Sequence, residues 1–379
     1  MDGITLDIKF MTNYNEQEWI YRISLKITPG MGDITIRKLV DHFGSATEIY
    51  TKKSSELRQI KGMSSRAVEG ILSGSYQKVA EKHLQNLLKL NAELLFYSDS
   101  NYPARLSQCP DSPVMLFYKG SSGLNVRRML GIVGTRNATP QGKKITEDIV
   151  KGLVKQGVTI VSGLAYGIDT MAHRSAVINQ LPTIAVLGHG LDMLYPQQNS
   201  ALARKIALNG GLITEFFPDT LPDRENFPRR NRIIAGLCDA IVVVEAASKG
   251  GALITADIAN TYNRDVFAVP GRWGDEYSVG CNKLIKINKA ALIQSADDIR
   301  YIMGWDSTCE KQSAQANLFG QLPEKEQKIY ALLLKHGAAG IDFISHLTHI
   351  SQGELSSLLL KMEFDGIIRI LPGKLFAIS

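Results

Sequence analysis

The chain of 379 residues is about two and a half times the length of one typical domain, so two or three domains are expected. Hydrophobic residues at 44% and charged residues at 21% describe an ordinary folded protein, and 43 Lys+Arg against 37 Asp+Glu leave +6, which permits a polyanionic partner without requiring one. The opening MDGITLDIKF lacks the layout of a secretory leader, and the near-apolar stretch Ile233 to Ala247 is too short for a bilayer and is broken by Asp239. Four scattered cysteines (Cys109, Cys238, Cys281 and Cys309) fit neither a disulfide framework nor a zinc site, so a cytoplasmic protein with no membrane span and no metal is expected.

Residues 1–80 read as short helices divided by glycine turns, Pro29-Gly30-Met31-Gly32 and Lys61-Gly62-Met63-Ser64, the pattern of a helix-hairpin-helix or SAM-like domain. Two roles fit the turns: backbone N–H groups holding a phosphate, or plain helix C-caps in a small bundle. A helix is predicted from Gln77 to Leu90. Residues 81–304 then alternate Val/Ile-rich runs (130–135, 158–163, 183–188, 211–215, 240–246 and 265–271) with helical stretches such as KKITEDIVKGLVKQ and ALARKIALN. Continuous apolar strands separated by helices predict an α/β domain, a Rossmann-like, doubly wound, mostly parallel sheet. A polar linker is read over 305–323, and three helices followed by two short strands around Pro372-Gly373 predict a winged helix over 324–379. Winged helices bind duplex DNA or serve protein contacts. The helix Gln352–Phe364 has Lys361 against Glu354 and Glu363, which leans toward protein contact.

In a doubly wound sheet the loops at the carboxyl ends of the strands line the binding crevice. Here they read Gly134-Thr135-Arg136, Ser162-Gly163-Leu164, Gly188-His189-Gly190 and Lys249-Gly250-Gly251, with Arg224, Arg229, Arg230 and Arg232 clustered near FPRRNR. Glycines admit an anion close to backbone N–H groups, and an arginine can clamp a phosphate through two hydrogen bonds. No dinucleotide fingerprint, P-loop or HExxH is present, and His346 and His349 read as ordinary helix residues. Asp169 and His173, four apart, read as an acid–base pair or, more simply, as a helix cap beside a satisfied histidine. Tyr166 and Phe227 offer rings on which a base would stack, with core packing the simpler role for Phe227.

The segments YPARLSQCPDSPVMLFYKG (102–120), IVGTR (132–136), VSGLAYGIDTMAH (161–173), GLDMLYP (190–196), FPRRNRIIAGL (227–237), GGALITADIA (250–259) and VFAVPG (266–271) together resemble the DNA-processing protein A family, DprA or Smf. The resemblance implies a non-enzymatic homodimer without a cofactor. Such a protein binds and protects incoming single-stranded DNA and helps load the RecA recombinase during natural transformation. It implies DNA contacts at Gly134, Arg136, Ser162, Gly163, Arg230, Arg232, Lys249, Gly250 and Gly251. Two departures stand out: Lys249-Gly250-Gly251-Ala252-Leu253 where the family commonly has K-S-G-S-L, and Asn288-Lys289-Ala290 where a glycine usually precedes the alanine. The alternative is a nucleotide-processing phosphoribohydrolase on the same scaffold. Its P-G-G-x-G-T signature is echoed only by Gly250-Gly251, with Asp257 as the nearest carboxylate.

Overall fold

The computed structural model describes residues 15–305, 322–371 and 375–378. The chain divides into two compact units, 1–306 and 307–379. Most of the segment read as a linker, and the turn at Pro372-Gly373, lie outside the described residues.

The first unit begins with helices Glu16–Ile27, Asp33–Phe43, Ala46–Tyr50, Ser54–Leu57, Ser65–Ser73 and Gln77–Lys89. Both glycine turns form as the pattern predicts. Gly30 and Gly62 hold φ of +83° and +103°, a region that glycine enters without steric penalty. The turns sit close to the opposite helix starts: a Cβ on Gly30 would come within 2.8 Å of Ser64 Oγ, and one on Gly62 would lie 3.8 Å from Thr35 Oγ1. The buried face of this bundle (Ile23, Ile36, Leu39, Ile71, Leu84) is continuous with the apolar side of the sheet edge beyond it, at Phe96 and Phe117. Arg22 seals the junction. Its guanidinium lies over Trp19 and Phe96, at 4.8 and 4.3 Å from the ring centroids, and pairs with Asp99 at 3.2 Å.

Nine strands make one sheet: β1 Glu93–Phe96, β2 Met115–Gly120, β3 Met129–Val133, β4 Thr159–Ser162, β5 Thr183–Val186, β6 Gly211–Thr214, β7 Ala240–Val243, β8 Asp265–Ala268 and β9 Ala291–Leu292. Their order is β1-β2-β6-β5-β4-β3-β7-β8-β9. The six apolar runs became β3 to β8, all parallel, with helices on both faces. Alternate side chains of β3 and β7 separate to the two sides: Met129, Val133, Ile241 and Val243 pack with helices Asn226–Leu237 and Gly251–Thr261, while Leu130, Ile132 and Val242 pack with helices Pro140–Gly152 and Ile168–Ile178. Three strands lie beyond the predicted set: β1, β2 and the two-residue β9, which pairs parallel with β8 at the other edge. β1 and β2 join antiparallel at one edge, with β2 against β6. The strand order turns at β3, whose neighbours are β4 on one side and β7 on the other. The loops leaving β3 and β7 therefore diverge, and a crevice opens between them.

The second unit has its own core, built from Ile329, Leu333, Ile344, Leu355, Leu359 and Met362. Helices Glu324–His336, Ile341–Thr348 and Gln352–Phe364 pack with a small sheet of β10 Ala339–Gly340, β11 Ile368–Leu371 and β12 Leu375–Ile378, in the order β10-β12-β11. This is the predicted winged helix.

Candidate nucleic-acid interface

The divergent loops at the switch point are tied together beneath the crevice. Thr135 N–H donates to the Glu245 carbonyl at 2.8 Å. The Glu245 carboxylate accepts from the N–H and hydroxyl of Thr139 at 3.0 and 2.5 Å, at the start of helix Pro140–Gly152. Gly134 is needed for packing: a Cβ there would lie 2.5 Å from Ile168 Cγ1 and 3.0 Å from the Glu245 carbonyl oxygen.

Above this tie lies a cleft of about 280 Å³ lined by Gly134, Arg136, Phe227, Arg230, Lys249 and Gly251, among others. Arg136 and Lys249 are exposed, and no ion pair or side-chain hydrogen bond engages either among the described residues. The Arg136 guanidinium lies 5.2 Å from the centroid of Phe227. Phe227 therefore lines the cleft, contrary to the core role expected of it. Helix Gly251–Thr261 starts here with Gly250 as its cap and no side-chain acceptor, so the first-turn N–H groups remain for an anion. Asn231, unremarked in the sequence, also lines the cleft, and its amide donates to the Gly251 carbonyl at 3.3 Å.

Arg230 forms the floor. It is buried, its Nη1 donates to the Val186 carbonyl, and its guanidinium lies flat on Gly163, where a Cβ would sit 2.0 Å from Nη1. Only glycine fits at 163. Burial pushes the Arg230 pKa down to about 10, which leaves it charged at neutral pH. Asp169, also buried, accepts from Gly163 N–H and Ala165 N–H at 3.2 and 3.4 Å. Burial raises its pKa, and the nearby Arg230 charge works against that rise. The expected helix cap is thus corrected. The cap of helix Ile168–Ile178 is Gly167, and Asp169 braces the loop before it because its carboxylate turns back toward β4. His173 differs from expectation as well. Its Nδ1 meets Thr183 Oγ1 at 2.7 Å, but its buried Nε2 has no partner, and burial lowers its pKa to about 3. A neutral imidazole enclosed in this way is no acid–base partner for a ligand.

Two predicted contacts are placed elsewhere. The Ser162 hydroxyl is buried and donates to the Ile132 carbonyl at 2.6 Å. Arg232 lies on the same helix as Arg230 but is held away from the cleft by Glu215 at 2.6 Å and by the Asp111 carbonyl. Glu215, remote in sequence, also approaches Arg229 at 3.9 Å. The tip thus brings together Gly134, Arg136, Arg230, Lys249, Gly250 and Gly251, with Gly163 behind Arg230. Tyr166 is exposed outside the lining, its hydroxyl donating to Gln198. Among the described residues no group of three or more His, Cys, Asp or Glu is placed to hold a metal, and no helix is long and apolar enough to cross a membrane.

A mostly parallel sheet with a cationic, glycine-lined cleft at its switch point, followed by a winged helix, defines the class of protein. The family assignment follows from sequence comparison. DNA recombination-mediator protein A matches residues 93–304, and the DprA winged helix domain matches 313–374. Protein Smf of Synechocystis sp. is 33% identical over 96% of this chain and 98% of its own. The chain belongs to the DprA/Smf family. Among solved structures, DprA from Streptococcus pneumoniae aligns with a TM-score of 0.66 at 36% identity, covering 74% of this chain and 97% of that one. DNA processing protein A from Helicobacter pylori, whose structure concerns its single-stranded DNA binding mode, aligns with a TM-score of 0.52 at 29% identity, covering 57% and 96%.

Proposed function

We propose that the chain binds single-stranded DNA in the cleft at the β3/β7 switch point, shields it, and helps load a RecA-type recombinase on it during transformation or recombination. In this reading it acts in the cytoplasm, as a homodimer and without catalysis. The observation that carries the DNA reading is the pair Arg136 and Lys249, exposed and without a counter-charge among the described residues, above the buried charge of Arg230. Such a site attracts phosphates but has no array of side chains to read a base sequence, which suits a strand held by its backbone. The single-stranded DNA binding of the Helicobacter pylori relative supports the same assignment. The hydrolase alternative draws no support from Asp257, which is exposed, ion-paired with Lys289 at 2.7 Å and outside the cleft lining.

The test is fluorescence anisotropy with a labelled single strand and its duplex across a salt titration. The expected outcome is a preference for the single strand, with a log–log slope of about −0.7 per neutralised phosphate. No binding, or a flat salt response, would overturn it, as would release of free base from nucleoside monophosphates. Strand exchange by RecA on protein-coated DNA tests the loading step, and sedimentation equilibrium tests the dimer.

A further inference from the structure

A second hollow, of about 680 Å³, lies between β2, helix Ser200–Asn209 and the loop that follows β5. Its size is that of a small-ligand pocket. Apolar side chains, including Leu191, Leu194 and Leu212, form part of its wall, and Lys119 of β2 and Arg204 of the helix contribute positive charge. Neither cation meets a carboxylate among the described residues. One carboxylate, Asp192, also lines the hollow; its Oδ2 accepts the Asp219 N–H at 3.0 Å, and the lining carries two cations against this one anion. An apolar wall with a net positive charge suits a ligand that is part apolar and part anionic.

The hollow and the cleft already described meet at one ring contact. Tyr195 lines the hollow, and its ring centroid is 6.1 Å from that of Phe227, which lines the cleft and carries the Arg136 guanidinium at 5.2 Å. Arg136, Phe227 and Tyr195 thus form a row of one cation and two rings leading from one depression to the other. Successive bases of a single strand stack on such rows, with their phosphates facing the cations.

We propose that the hollow is a second nucleotide subsite. A strand seated in the switch-point cleft continues over Phe227 and Tyr195, a base rests against the Leu191–Leu194 wall, and the adjoining phosphate takes its counter-charge from Lys119 and Arg204. This rests on the single-stranded DNA reading of the cleft and extends the footprint of the strand.

The experiment compares wild type, the double variant Lys119→Gln/Arg204→Gln, and Arg136→Ala on oligothymidylates of about 6 and about 20 nucleotides, which span the usual site sizes of single-strand binders. Equal melting temperatures confirm that the variants fold. The double variant is expected to lose about tenfold in affinity for the longer strand, with a salt slope shallower by about 0.7, and to bind the short strand as wild type does. A 5-iodouracil in the longer strand is expected to crosslink to Tyr195. If the double variant matches wild type on both lengths while Arg136→Ala loses both, the subsite is wrong and the cleft reading stands. If Arg136→Ala also retains both, the cleft reading falls with it. If the double variant loses affinity for thymidine monophosphate but not for either strand, the hollow serves a free nucleotide and the proposal is overturned.

Discussion

The switch-point cleft and three lysines on the helices of the winged helix hold their positive charges in opposite ways. In the cleft, Arg136 and Lys249 project without an anionic partner among the described residues. In the winged helix, Lys361 on the third helix pairs with the buried Glu326 at 2.9 Å, Lys328 pairs with Glu324 at 2.8 Å, and Lys325 pairs with Glu354. The face of that third helix also carries Leu360 and Phe364, 55% and 83% exposed. A cation already paired has spent much of its field on its neighbour, so the number of basic residues in a domain says less about anion binding than the number left unpaired.

The sharpest way to break that comparison sets Arg232, paired within FPRRNR, against Arg136, which has no counter-charge among the described residues in the loop after β3. Arg232→Ala strands the Glu215 carboxylate, which is 1% exposed, and is expected to cost about 3 kcal/mol of stability in urea unfolding. Affinity for single-stranded DNA per folded molecule should stay within about twofold; a larger loss would return Arg232 to the DNA site. Arg136→Ala should do the reverse, weakening binding by about 1.5–3 kcal/mol in anisotropy titrations while leaving the melting temperature unchanged. Unchanged affinity would remove Arg136 from the site.

The two units should also differ in acid. Buried His173 has a folded pKa of about 3 against an ordinary 6.5, so below about pH 6.5 the unfolded chain takes up the proton and the folded chain does not. Stability from this group is full above that pH and falls as pH drops toward 3. Between pH 7 and 5 the loss is about 2 kcal/mol. His173 lies in the first unit, which should carry the loss. Unfolding curves at both pH values, for wild type and His173→Gln, isolate the effect; equal slopes would contradict it.

Smaller effects sharpen the picture further. A Cβ on Gly250 meets nothing within 4 Å, and its φ is extended at 160°, so neither space nor backbone requires glycine there. Gly250→Ser restores a hydroxyl at the helix cap and is expected to tighten DNA binding by about twofold, with a few tenths of a kcal/mol gained in stability. Weaker binding would mean that the strand passes closer to the backbone than a serine allows. Removing residues 324–379 should change single-strand affinity by less than about twofold, since the paired lysines there offer little. A larger loss in anisotropy would show that the winged helix touches the DNA.

The parts legible in the sequence were those decided locally. Apolar runs between helical stretches became β3 to β8, and the glycines and exposed cations at strand tips became the cleft. β1 was hidden because ELLF directly follows a helix and is too short to show its own period, and β2 is held by β6 from far along the chain. The placement of Arg232 depends on Glu215 in another element, and that of Asp169 on N–H groups upstream of it, at Gly163 and Ala165. Phe227 is only half-buried because its helix begins one residue earlier, where the first turn meets the cleft. Partners brought together by the fold leave no periodic trace in one sequence.

The antiparallel edge bears on how the chain is made. The amino-terminal helices and β1–β2 leave the ribosome before β6, against which β2 must lie. Until β6 emerges, the flank of β2 opposite β1 is an open edge whose backbone groups await a partner. The bundle shares a core with these strands, so their apolar face has a partner encoded before β6, while the β2 flank that takes β6 waits for the later chain.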